Sequence, residues 1–221
     1  MNKESWKLKS VFSIVLLFLF VWSNAQEDDF FDTNYGVFLE KADSTLLNKI
    51  RIIKFSHSEG IIFPAEFADS LISRGKNAFS PDSLIIIAAE KELVNQYCKA
   101  IKKFNDRVNK ETSDRLYYMN DLKALRNYEK QKRRQNRIRK KYCSKWQNDI
   151  LVSDKQIIGY INEEGEKILL IKILDFREDP YDLKRLFYTS WIDGWHGWFE
   201  TNVKSVHYHL KNNLITVNEE L

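Results

Sequence analysis

The sequence predicts an α+β domain: an N-terminal helical part, one long helix plus a basic second helix, packed on a C-terminal antiparallel β-meander of four to five strands. Three observations predict it. Apolar residues at helical spacing run from Ser80 to about Val108. A second helical pattern covers Asn120 to Tyr142. From Ile157 onward the apolar period falls to two, and turn residues separate the runs. Helices first and strands after point to α+β rather than alternating α/β.

The first residues bear on location. Lys3, Lys7 and Lys9 precede an apolar run from Val11 to Trp22, and Ser23, Asn24 and Ala25 follow it. This is the three-part pattern of a secretory signal peptide, with cleavage expected after Ala25. The run is too short for a spanning helix, which needs about 20 apolar residues. The residue directly after the cleavage point is Gln26, not Cys, and no second apolar run is long enough to span, so no lipid or transmembrane anchor is expected in the mature chain. The expected location is the periplasm or the extracellular space. Cytoplasmic nucleic acid and nucleotide cofactors are then excluded as partners, and thiols become candidates for a disulfide. The expected organisation is signal peptide 1–25, a mixed segment 26–79, a helical hairpin with a basic run 80–145, and a meander 146–221 that forms one domain with 80–145.

The mixed segment opens with an acidic stretch, 26–34. Tyr35 to Glu40 reads as a short strand, and Thr45 to Ser56 fits helix or strand equally. Gly60 to Pro64 reads as a strand ended by proline. Ala65 to Gly75 reads as a short helix, with Arg74 in its last turn and Gly75 as its stop.

Ser80, Pro81 and Asp82 are suited to begin the long helix, as cap, first helical residue and dipole partner. Leu84, Ile87, Val94, Cys98, Ile101 and Val108 form one stripe on it. Ile86, Ala89, Leu93, Tyr97, Ala100 and Phe104 form a second. Two adjacent stripes predict a helix covered on two sides. The polar run "NKETSD" reads as a loop. On the second helix, Ala124, Tyr128, Gln131, Gln135, Ile138 and Tyr142 repeat at seam spacing, although two Gln weaken it. Antiparallel packing about residue 120 would bring Cys98 near Cys143, the only two cysteines. A bridge between them closes a loop of 46 residues, stabilising by about 4 kcal/mol in the chain-entropy model.

The meander begins with a hairpin, Ile157 to Ile161 and Lys167 to Leu174, about Asn162–Gly165. Leu183 to Trp191 reads as a strand, "IDGWHG" as a turn, Trp198 to Leu210 as one long strand, and Leu214 onward as the last. Val206, Tyr208 and Leu210 share the face expected to meet the helix. The stretches "FSPDSLIIIAAEKELVNQY", "KQIIGYINEEGEKILLIKI" and "DGWHGWFETNVKSVHYHL" resemble a group of uncharacterised small exported proteins of Gram-negative bacteria. The resemblance covers about residues 79–105 and 156–217 as a pattern of helix, hairpin and strand. It implies a helix-on-sheet layout similar to cystatin-like folds, and it brings no activity.

Charge is unevenly placed. Without residues 1–25 the chain holds 32 bases and 30 acids. Residues 126–145 contain ten bases and one acid, so the remainder carries −7. On a helix, Lys130, Arg133, Arg134, Arg137, Lys140 and Lys141 fall within an arc of about 120°. Such a face fits an anionic envelope surface or an acidic partner, or serves only to offset the acidic body.

Two other clusters carry chemistry. Trp191, Asp193, Trp195, His196 and Trp198 form a turn that would suit a glycan or peptide if its rings were exposed. His207 and His209 share one strand face, and His196 is the obvious third ligand for a metal-dependent hydrolase. The plainer readings are a tight turn with rings packed inward and two solvated histidines. The spacing "SRGK" (73–76) has no companion motif. There is no G-x-S-x-G, H-E-x-x-H or phosphate-binding glycine loop. The chain therefore reads as an exported non-catalytic binding or envelope-structural domain, with no catalytic residue and no cofactor expected.

Overall fold

The computed structural model describes residues 37–72, 77–119, 121–194 and 197–217. The expected signal peptide, the acidic stretch, "SRGK", Trp195 and His196 lie outside the described residues. The architecture is α+β with an antiparallel-rich sheet, as the sequence predicts.

Among the described residues the sheet has seven strands: β2 (Arg51–Lys54), β3 (Glu59–Ile62), β4 (Asn77–Phe79), β5 (Asp154–Ile161), β6 (Lys167–Leu174), β8 (Val203–His209) and β9 (Leu214–Val217). Its order is β2-β3-β5-β6-β8-β9, with β4 also pairing β5. The meander β5-β6-β8-β9 is antiparallel throughout. The sheet as a whole is mixed, because β3 runs parallel to β5, with Gly60 opposite Lys155 and Ile62 opposite Ile157. Further along the same edge β4 pairs antiparallel, Phe79 opposite Gly159. A Cβ at Gly159 would lie 2.6 Å from the Phe79 carbonyl oxygen, so this close approach needs glycine. The β5–β6 turn follows its sequence chemistry: the Asn162 side chain accepts from the backbone N–H of Glu164 (3.1 Å) and Glu166 (2.8 Å), and Gly165 has φ +77°.

Both faces of the sheet are covered. Leu169, Ile171, Ile173, Val206 and Tyr208 meet the long helix α3 (Ser83–Tyr118) through Ile86, Ala89, Leu93, Tyr97 and Ala100. The end of α4 (Leu122–Val152) adds Ile150. Ile158, Tyr160, Ile168, Leu170 and Leu174 face the other way. They are covered by α2 (Ala65–Leu71), a 3-10 turn (Leu183–Leu186), α5 (Trp198–Asn202), and a two-stranded ribbon of β1 (Val37–Lys41) and β7 (Ser190–Gly194). A cystatin-like sheet covered on one side is therefore too simple a layout.

Several predicted elements differ. Thr45 to Ser56 divides into a helical turn α1 (Ser44–Leu47) and β2. The expected strand over Leu183–Trp191 is the 3-10 turn followed by β7, which pairs with β1 instead of joining the meander. The expected turn at Ile192–Gly194 is strand. The long strand from Trp198 begins as α5, because Trp198 and Phe199 are both buried in one core, their rings 5.2 Å apart. Adjacent residues of a strand point to opposite faces, whereas a helical turn can bury both together. Gly197, at φ +60°, makes the break.

The helices are longer than their patterns suggest. No Gly or Pro lies between Pro81 and Gly159, so nothing local stops α3 at Val108 or α4 at Tyr142. "NKETSD" is helical. The cap of α3 is Asp82, accepting from Leu84 N at 2.7 Å; the Ser80 hydroxyl accepts from Ala65 N instead. Among the described residues no helix is long and apolar enough to cross a membrane.

Candidate functional site

The α3–α4 hairpin is larger than the sheet it packs on. A 36-residue helix is about 54 Å long, against about 27 Å for an eight-residue strand. On α3, contact with the sheet continues to Arg107, which lines a shallow groove with Ile215 and Val217. On α4, core contact with the sheet begins only at Trp146 and Ile150. Residues 108–142 therefore form a two-helix arm beyond the body.

A disulfide and side-chain hydrogen bonds hold the arm at its base and along its seam. Cys98 and Cys143 are joined by a disulfide with Cα atoms 5.8 Å apart. Beside it Gln147 Nε2 donates to the Val94 carbonyl at 3.0 Å. Further out the seam is polar: Tyr128 donates to buried Asn109 Oδ1 at 2.6 Å. The seam keeps the expected Ala124 and Tyr128 near the tip, both half-buried beside Leu125 and Glu129, and departs from the expected rotation nearer the base. There Lys132 and Asn136 are half-buried, while Gln131, Gln135, Ile138 and Tyr142 are exposed. Cys143, Trp146 and Ile150 continue the observed spacing, so the bridge and the core contacts fix the rotation. Lys132 thus faces the seam, where its Nζ lies 3.5 Å from Glu129.

The cationic face is where the helical wheel puts it. Lys130, Arg133, Arg134, Arg137, Lys140 and Lys141 are all exposed. Among the described residues none of them makes an ion pair, and Lys141 lies 5.3 Å from the Tyr142 ring centroid. On α3, Lys102, Lys103, Arg107 and Lys110 are exposed as well. Residues 102–145 hold sixteen bases and five acids, so this outer part of the hairpin carries +11. Among the described residues the face is not paired with the acids of the body.

The tryptophan turn has a different character. Trp191 and Trp198 are core residues, and the Trp198 indole N–H donates to the Glu178 carbonyl. Asp193 Oδ2 lies 2.5 Å from Lys172 Nζ. The described members thus form a packed end of β7, with no open aromatic platform. Trp195 and His196 lie outside the described residues, so the metal triad is seen only in part. His207 is buried, its ring edge-on to Tyr160 at 6.0 Å, and is not on a solvated face. His209 Nε2 lies 3.0 Å from the Thr216 hydroxyl. Among the described residues no three His, Cys, Asp or Glu side chains converge as a metal site. A cleft of about 410 Å³ at the sheet edge gathers Tyr97, Trp146, Asp193, Glu200 and Lys204. Burial lowers the Lys204 pKa there.

Comparison with protein-family models, curated proteins and solved structures finds no match to this chain. The likeness to small exported proteins rests on the helix-and-hairpin layout alone.

Two features escaped the sequence reading. Lys155, 1% exposed, donates to the carbonyls of Ile150 and Ser153, each at 2.9 Å, and to Ser58 Oγ at 3.0 Å. Glu90 stands 3.8 Å away. Burial pushes the ammonium pKa down to about 8. Two of its three hydrogen bonds go to the end of α4 and the third to the β2–β3 turn, so it ties the hairpin to the sheet. The second feature is the arm's tip, where Tyr117, Tyr118, Met119 and Leu122 are exposed together. The run "LYYM" among polar residues was the available signal.

Proposed function

We propose that this chain is an exported, non-catalytic binding domain of the cell envelope whose helical arm engages an anionic surface. One observation carries the reading: Lys130, Arg133, Arg134, Arg137, Lys140 and Lys141 stand exposed on a projecting arm without ion-pair partners among the described residues. A face that only balanced the acidic body would lie against it. Arginine side chains displayed this way suit phosphate, sulfate or carboxylate groups, which they grip with paired N–H donors. The leader pattern at residues 1–25 supports placement outside the cytoplasm. Binding of this kind weakens steeply with salt. Retention on a heparin column at low salt is expected, and replacing Arg133, Arg134 and Arg137 with Ser should abolish most of it. Failure of the unmodified protein to bind at low salt would remove the proposal.

A further inference from the structure

We infer that the tip of the arm inserts into the headgroup region of an anionic lipid bilayer, an inference that rests on the proposed anionic-surface reading. Tyr118 is 85% exposed, Tyr117 and Met119 are 68% exposed, and Leu122 is 55% exposed. They surround the connection between α3 and α4, and the two tyrosine rings lie 6.2 Å apart, edge to face. Among the described residues neither helix has a neighbour that covers them: Arg107, the last residue of α3 to meet the sheet groove, is about 17 Å back along the helix. Four large apolar side chains exposed at one point are costly unless something receives them.

The charges around them select the receiver. Arg115, Lys123 and Arg126 flank the tip, and the cationic face of α4 continues behind it. Asp114 and Asp121 also lie there; Asp121 is occupied as the cap of α4, accepting from Ala124 N at 2.9 Å. A soluble anionic polymer accounts for the bases but gives Tyr, Met and Leu nowhere to go. A bilayer accounts for both. Tyrosine favours the headgroup level, Met and Leu the acyl boundary just below it, and bases on the flanks meet anionic headgroups. The disulfide and the Lys155 anchor hold the arm at its base, so the tip is presented rather than trailing.

The test uses protein recovered after export, with its disulfide intact and one N-terminus for all variants. Binding is measured to vesicles of phosphatidylcholine alone, to vesicles containing 30% phosphatidylglycerol, and to heparin. The expected result is binding to the anionic vesicles. A variant with Tyr117→Ser, Tyr118→Ser and Met119→Ser should lose about tenfold or more in vesicle affinity while keeping its heparin retention. Tyr118→Trp should bring a ring within quenching reach of brominated lipid, above the background of the core tryptophans. Heparin retention without vesicle binding overturns the bilayer inference and leaves the anionic-surface reading intact. Binding to neither overturns both. Equal vesicle binding by the serine variant, or a lipid-independent dimer that this variant abolishes, also overturns it, the latter by making a second copy the receiver.

Discussion

Cys98 and Cys143 bond α3 to α4 at the level where α4 leaves the sheet. Inward of that level the hairpin has an apolar core; outward it has Asn109, Tyr128, Ser113 and Glu129. An isolated polar seam stabilises a helix pair weakly, since each hydrogen bond contributes only about 1 kcal/mol net.

Reduction should therefore loosen the arm before the body. Removing the bridge costs up to about 4 kcal/mol by the loop-entropy account. Amide exchange should find protection lost over residues 122–142 first, with β5 and β6 little changed. Simultaneous loss across sheet and arm would contradict a separable arm.

Gln156 should be intolerant of an apolar isostere. Its Nε2 donates to the carbonyls of Phe187 (3.0 Å) and Ser190 (2.6 Å), and its Oε1 accepts from Ile192 N at 2.8 Å. It is a buried polar tie between the large sheet and the strand of the β1–β7 ribbon. Gln156→Leu strands three buried backbone groups, a loss of about 3 kcal/mol or more. Urea denaturation measures it; a loss below about 1 kcal/mol would mean the ribbon is held by its rings alone.

Lys155 gives stability a defined pH dependence. Its folded pKa, about 8, lies below its ordinary value of 10.5. Between those values the unfolded chain binds more protons, so this group's contribution rises with pH across the window and is flat below it. Relative to Lys155→Met, the wild-type protein should gain stability from pH 8 to 10, by about 1.4 kcal/mol per pH unit at most. The comparison must be paired, because burial raises the Tyr97 pKa and acts in the opposite sense at higher pH. A difference that stays constant across the window would show that Lys155 remains charged.

The sequence carried the hairpin, the meander and the cationic face because each rests on local periodicity. It also carried a signal for the second layer: "KILLIKIL" and "QIIGYI" are almost continuously apolar, as strands buried on both faces are. What stayed hidden depends on distant residues. The pairing of β7 with β1 joins segments some 150 residues apart. The rotation of α4 is set by Cys98, Trp146 and Ile150, so the pattern within 124–142 could not fix it. Trp198 reads as a binding ring until α5 turns it inward.

The contacts across the hairpin form a series in chain separation. Ser113 meets Glu129 across 16 residues, Asn109 meets Tyr128 across 19, Cys98 meets Cys143 across 45, and Val94 meets Gln147 across 53. Glu59 then meets Asp154 across 95, where β3 aligns with β5. Loops this graded close most readily from the shortest outward, each closure shortening the next. Assembly would run from the tip toward the sheet, and pulse-labelling during refolding should find α3 and α4 protected before β5. The segment furthest from the body is then the one whose early zippering delivers the two halves of the sheet to each other.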